Sequence, residues 1–234
     1  MRKSIVVSGA TKGIGRAIVQ RFAVEGFDII GCARSTKDLE GLKSEIELKF
    51  PVKVHVLKAD LSQKAETNKF AQFALGSGTE ISALVNNAGF FIPGAVHNEE
   101  DGVLEQMIET NLYSGYYMTR GLIKSMMARK AGHIFNICSI ASQIAYPNGG
   151  SYSISKFAML GMSKVIREEM KEFGVRVTSV LPGATYTASW DGADISEDRL
   201  MPAKDVASLV WNAFSLSDRS VVEEIVVRPQ LGDL

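Results

Sequence analysis

Tyr152 and Lys156 stand four residues apart in a stretch with helical periodicity, so their side chains leave the same face of one helix. A phenol ordinarily keeps its proton up to about pH 10, and exchanging it with an alkoxide near neutrality calls for a cation close by. Lys156 supplies one. Ser139 follows the short apolar run 133–138, and its hydroxyl can either orient a reacting oxygen beside Tyr152 or cap a turn. Asn111 lies inside a long helical pattern, where Asn is a poor helix former. Its amide either fixes a water that relays protons to Lys156 or faces solvent. These residue types suit proton transfer at a carbonyl or alcohol oxygen. The three histidines, His55, His97 and His133, are scattered, so no metal site is expected.

A second group lies near the N-terminus. Gly9-Ala10-Thr11-Lys12-Gly13-Ile14-Gly15 directly follows an apolar run and opens a helical pattern. Glycines there permit a tight turn and close approach of a diphosphate to backbone N–H groups at a helix N-terminus. An NAD site of this kind carries an acid at the carboxyl end of the second strand. Here that end reads Gly31-Cys32-Ala33-Arg34-Ser35, and Asp28 falls at the strand's beginning. Arg34, with Lys12 in the turn, can pair with a 2′-phosphate, which favours NADP(H). Asp60, followed by Leu61, either bonds an adenine amino group or caps a helix. The small residues and amides of Asn86-Asn87-Ala88-Gly89 allow close cofactor approach or form a turn.

These residues need a frame that brings them to one edge. Strand-like runs at 4–8, 28–32, 52–58, 83–86, 133–138, 176–181 and 222–226 alternate with helical patterns at 13–25, 39–48, 64–74, 102–128, 152–173 and 203–214. That alternation predicts a single α/β domain of the doubly wound Rossmann type. Its seven-stranded sheet should be mostly parallel, with helices on both faces and all parallel carboxyl ends on one edge. At 234 residues and 46% hydrophobic, the chain suffices for one such core. The polar segment 188–199 follows a strand and is expected to overhang the cleft as a substrate lid, the alternative being a plain surface loop.

Charge is balanced at 26 Lys plus Arg against 26 Asp plus Glu, which argues against nucleic acid and anionic lipid as partners. No apolar stretch has transmembrane length without charges, and the N-terminal run is too short for a secretion signal. Cys32 and Cys138 lie in apolar runs and read as buried thiols, which suits the cytoplasm.

The set Gly9-x-x-x-Gly13-x-Gly15, Asn86-Asn87-Ala88-Gly89, Asn111, Ser139, Tyr152-x-x-x-Lys156 and Pro182-Gly183 resembles the short-chain dehydrogenase/reductase family in order and spacing. The resemblance implies a catalytic tetrad. Tyr152 is the general acid in reduction, and Ser139 steadies the carbonyl and developing oxyanion. Lys156 lowers the tyrosine pKa and binds ribose, and Asn111 maintains the relay water. It also implies that Lys12 and Arg34 form the basic pair of NADP-preferring members and that Ile14 meets the diphosphate through its backbone. Thr11, Ser35, Pro182, Gly183, Thr185 and Thr187 complete the expected cofactor contacts, Thr187 at the nicotinamide carboxamide. Candidate substrate walls are Ile140, Gln143, Ile144, Tyr146 and Trp190, although Trp190 equally suits an interface. Arg199 is the candidate anchor for an acidic substrate. The ending Val222-Glu-Glu-Ile-Val-Val-Arg-Pro-Gln230 is closer to the sepiapterin-reductase-like and 3-hydroxy-acid dehydrogenase branches than to 3-oxoacyl-carrier-protein reductases.

The expected activity is hydride transfer between NADP(H) and a small ketone or secondary alcohol. The alternatives are a 3-oxoacyl-thioester reductase and a non-catalytic NADP(H)-binding sensor or scaffold. Helices 102–128 and 152–173 carry apolar residues on several faces, so a homodimer or homotetramer is expected.

Overall fold

The computed structural model describes residues 2–187 and 195–232. Among them the apolar runs form seven strands. These are β1 (Lys3–Ser8), β2 (Asp28–Ala33), β3 (Val54–Lys58), β4 (Glu80–Asn86), β5 (Gly132–Ile137), β6 (Val175–Pro182) and β7 (Glu224–Val227). They assemble in the order β3-β2-β1-β4-β5-β6-β7, every neighbouring pair parallel. Both faces of this sheet are covered, which explains why its strands read as continuous apolar runs rather than alternating ones. Ile5 and Val7 face one core and Val6 the other.

On the first face lie α1 (Gly13–Val24), α2 (Thr36–Lys49) and α7 (Ala203–Phe214); on the second lie α3 (Lys64–Leu75), α5 (Ser114–Arg129) and α6 (Gly150–Met170). Phe22 of α1 is fully buried and meets Phe27, Trp211 and Phe214 edge-on, locking α1 to α7. Strand order reverses between β1 and β4, and a crevice opens there at the carboxyl ends of the strands.

Two of the element boundaries that differ from the sequence expectation bear on the site. The pattern at 102–128 is not one helix: α4 (Val103–Ile108) passes through a π-helical turn, Glu109–Tyr113, into α5. The wider turn keeps an apolar face turned inward, so periodicity alone cannot reveal it. Similarly, α2 starts at Thr36 because Ser35 caps it, accepting a hydrogen bond from the Asp38 N–H at 3.2 Å.

Candidate active site

The carboxyl edge carries a cleft of about 1280 Å³ that runs from the glycine turn to Tyr152 and the segment after β6. At its centre, α6 presents Tyr152 and Lys156 on one face, as their spacing requires. The Lys156 ammonium is buried, donates to the Ile137 carbonyl at 2.9 Å and lies 5.7 Å from the centroid of the Tyr152 ring. Ser139 directly follows β5, and its hydroxyl lies close enough to the Tyr152 phenol to draw the phenol's pKa down. Its own position is set by a reciprocal cap: Ser139 Oγ accepts from the Ala141 N–H at 3.1 Å, and Ser142 Oγ accepts from the Ser139 N–H at 3.2 Å.

Burial dominates the electrostatics of Tyr152 and Lys156. It pushes the Tyr152 phenol above its ordinary value of 10.0, and the Ser139 hydroxyl only partly opposes this. Lys156 is itself pushed down by burial, and its ammonium is directed at a backbone carbonyl.

Asn111 sits in the π-helical turn and is buried, which removes the solvent-facing alternative. Its Oδ1 accepts from the Phe90 N–H at 2.9 Å, while its Nδ2 donates to the Phe90 carbonyl at 3.1 Å and to Ser155 Oγ at 3.0 Å. The amide thus stitches the segment after β4 to the helix that bears Tyr152 and Lys156.

At the crevice, Gly13 adopts φ +50° and Gly15 packs so closely that a Cβ would lie 2.2 Å from the Gly9 carbonyl oxygen. Gly9, Thr11, Lys12, Gly13 and Ile14 line the cleft, whereas Gly15 lies outside its lining and serves the close packing beneath it. Ser8, which sequence reasoning missed, accepts from the N–H groups of Asn87 and Ala88 at 2.8 and 2.9 Å. Asn87 in turn donates to the carbonyls of Ser8 and Gly9. A small hydroxyl at the last position of β1 was the available signal. This cradle, bounded by Ala88, Gly89, Pro182, Gly183, Thr185 and Thr187, belongs to a cleft roomy enough for a dinucleotide.

At the ribose end, Lys12, Arg34 and Ser35 share the cleft as expected, but so does an acid: Asp38, in the first turn of α2, lies 4.0 Å from the Lys12 ammonium. Asp28 is buried at the opposite edge, paired with Arg2 and the Lys53 N–H. Asp60 and Leu61 line the cleft. Asp60 accepts from the N–H and hydroxyl of Ser62 at 3.1 and 2.9 Å and does not cap α3, which begins after Gln63.

Of the expected substrate walls, Ile140, Ile144 and Tyr146 line the cleft, joined by Phe90, Phe91 and Arg228, which the sequence did not single out. Gln143 is a correction: it turns away from the cleft lining and donates to Glu224 Oε2 at 2.9 Å. Arg199 is another, since its guanidinium reaches the Gly232 carbonyl rather than the cleft. Trp190 and the 188–194 part of the expected lid lie outside the described residues.

A doubly wound parallel sheet with a glycine cradle at its switch point, and a Ser–Tyr–Lys cluster beside it, defines a dinucleotide-binding oxidoreductase site. The short chain dehydrogenase family profile matches residues 3–197, and the chain belongs to that family. It is 32% identical to a sepiapterin reductase of Chlorobaculum tepidum across 100% of this chain and 99% of that one. Among solved structures it resembles a metagenomic short-chain oxidoreductase in complex with NADP, at TM-score 0.84 and 29% identity over 98% of this chain and 97% of the other. It likewise resembles a serine dehydrogenase complexed with NADP+, at TM-score 0.84 and 28% identity over 95% and 93%.

Proposed function

We propose that this chain is an NADP(H)-dependent carbonyl reductase and alcohol dehydrogenase acting on a compact ketone or its secondary alcohol. The observation that carries this reading is the meeting of Ser139, Tyr152 and Lys156 on the wall of a cleft that also contains the glycine turn. Lys12 and Arg34 support a nucleotide bearing a 2′-phosphate, as do the NADP complexes of the two structural relatives named above. When bound, the nicotinamide supplies or takes up a hydride at the carbonyl carbon.

In reduction, Tyr152 gives its hydroxyl proton to the carbonyl oxygen while Ser139 donates a hydrogen bond to the same oxygen. Lys156 would hold the ribose hydroxyls of a bound nucleotide, and Asn111 keeps the Phe90 segment and α6 in register around it, beside the expected relay water. The raised phenol pKa leaves the proton on Tyr152 at neutrality, the state that reduction uses.

Phe90, Phe91, Ile144 and Tyr146 favour a flat, partly apolar carbonyl compound, in keeping with the sepiapterin reductase relative. Arg228 favours a second reading, a carbonyl compound with an acid group such as the oxidised form of a 3-hydroxy acid. It follows β7, beyond β6 and remote from the ribose end at β2, and it lines the cleft. We further propose a homodimer or homotetramer in a reducing, cytoplasmic setting. Burial pushes the Cys32 and Cys138 thiols up to about 12 and about 11, which suits inert structural cysteines.

The test follows nicotinamide absorbance with NADPH and NADH against diketones, a pterin-like ketone, 3-oxo acids and 3-oxoacyl thioesters. Turnover that prefers NADPH and falls about a hundredfold or more in Tyr152→Phe is expected. NADH preference would overturn the cofactor reading. Tight NADPH binding without turnover of any compound would favour the sensor instead.

A further inference from the structure

Residues 87–102, between β4 and α4, carry Phe90 and Phe91 on one wall of the cleft. The other wall, Ile144 and Tyr146, leads through Pro147 and Asn148 into the first turn of α6. A side chain of the first segment reaches the second at the start of α6. A tight turn, in which the N–H groups of Asn98 and Glu99 both donate to the Ala95 carbonyl, delivers the Glu99 carboxylate to the start of α6. Glu99 Oε1 accepts from the Ser151 N–H at 2.8 Å, and Oε2 accepts from the Ser151 hydroxyl.

The surroundings are cut to fit this carboxylate. A Cβ on Gly94 would lie 2.6 Å from Glu99 Cγ, and one on Gly150 would lie 2.0 Å from Oε1. Gly94 bridges to Gly149, and its N–H donates to the Asn148 carbonyl at 3.1 Å. The first N–H groups of a helix have no partners within it, and the carboxylate meets one of them, the Ser151 N–H, together with the positive end of the helix dipole. The next residue along is Tyr152, and Phe91 from the clasped loop meets its ring edge-on, with centroids 4.9 Å apart.

We propose that Glu99 is a positioning residue for the reaction: its two-pronged clasp on Ser151 ties the Phe90 and Phe91 wall to the first turn of α6, and thereby holds the Tyr152 phenol against Ser139. The proposal rests on the reading of Tyr152 as the proton donor. A helix cap supplied from the helix's own sequence would stabilise α6 alone. This one comes from the opposite wall, so it couples the width of the mouth to the position of the acid. Displacement of a reacting group by about 1 Å costs on the order of a hundredfold in rate, so such a clasp bears on turnover without touching substrate.

The test compares Glu99→Ala, Glu99→Gln and Ser151→Ala with the parent by four measurements. These are steady-state kinetics on the best carbonyl substrate, NADPH affinity, melting temperature and the ultraviolet titration of Tyr152, obtained as the difference from a Tyr152→Phe partner of each protein. Glu99→Ala should lower kcat at least tenfold, with NADPH affinity changed less than twofold. The Tyr152 titration should move down toward the ordinary phenol range as the ring gains water. Glu99→Gln, which still presents an oxygen to the Ser151 N–H, should recover most of kcat. Two results would overturn the proposal: kcat within twofold of the parent in Glu99→Ala, or losses of turnover, NADPH affinity and melting temperature in proportion without rescue by Gln. If the parent turns over no carbonyl compound, the carbonyl reading has failed. The Tyr152 titration then still decides whether Glu99 positions the ring, and an unchanged titration in Glu99→Ala would count against it.

Discussion

At the scale of single residues, Tyr152 shows two opposing influences and which of them wins. Burial raises its pKa, and the nearby Ser139 hydroxyl does not cancel that rise. The sign has a direct kinetic consequence. Reduction needs the phenol protonated, so kcat/KM for reduction should stay level through the neutral range and decline only as pH rises above 10. Oxidation needs the phenolate and should rise over the same alkaline range. Initial-rate profiles in both directions check this, and a reductive decline centred below pH 8 would show that burial does not set the phenol's titration. The four residues that resemble the family tetrad were legible because each combines an unusual chemical type with a fixed spacing. Asp38 and Ser8 were not, since a surface acid and a strand-end serine are ordinary until the chain brings them to the cleft.

Elements decide where those residues point. The strands were readable because burial on both faces demands apolar, β-branched runs, and the parallel order follows from the helices between them. The π-helical turn that seats Asn111 was not, because inserting one residue leaves the helical apolar pattern nearly intact. Within the sheet, His133 of β5 is fully buried, shares a hydrogen bond with Thr178 of β6 at 2.7 Å and stacks on Phe135. Burial first, and the neighbouring Arg176 charge second, hold its imidazole well below the ordinary value of 6.5. The unfolded chain therefore binds a proton below pH 6.5 that the folded chain refuses, so this contribution to stability is present above that pH and lost as pH falls. Its slope can reach about 1.4 kcal/mol per pH unit. Chemical denaturation between pH 7 and 5 should show the loss, and His133→Gln should flatten it while lowering stability at pH 7.

At the scale of the whole molecule, α4, α5 and α6 leave large apolar side chains in the open. Leu104 is 39% exposed, Tyr116 41% and Phe157 46%. Such faces are candidates for contact between copies. Light scattering on purified protein should give a dimer or tetramer, and Phe157→Lys with Tyr116→Lys should shift it toward monomer; a monomeric parent would refute the expectation. Sequence alone determined the fold class, the glycine turn, the Ser–Tyr–Lys set and the basic residues at the ribose end. Those depend on local rules: apolar period, turn chemistry and residues whose roles follow from their type. Only the tertiary structure decided that Gln143 and Arg199 leave the cleft while Arg228 enters it, and that an acid accompanies Lys12. It also decided that Glu99 clasps the helix bearing Tyr152. Each of these depends on which segments, distant in sequence, meet at one edge of the sheet.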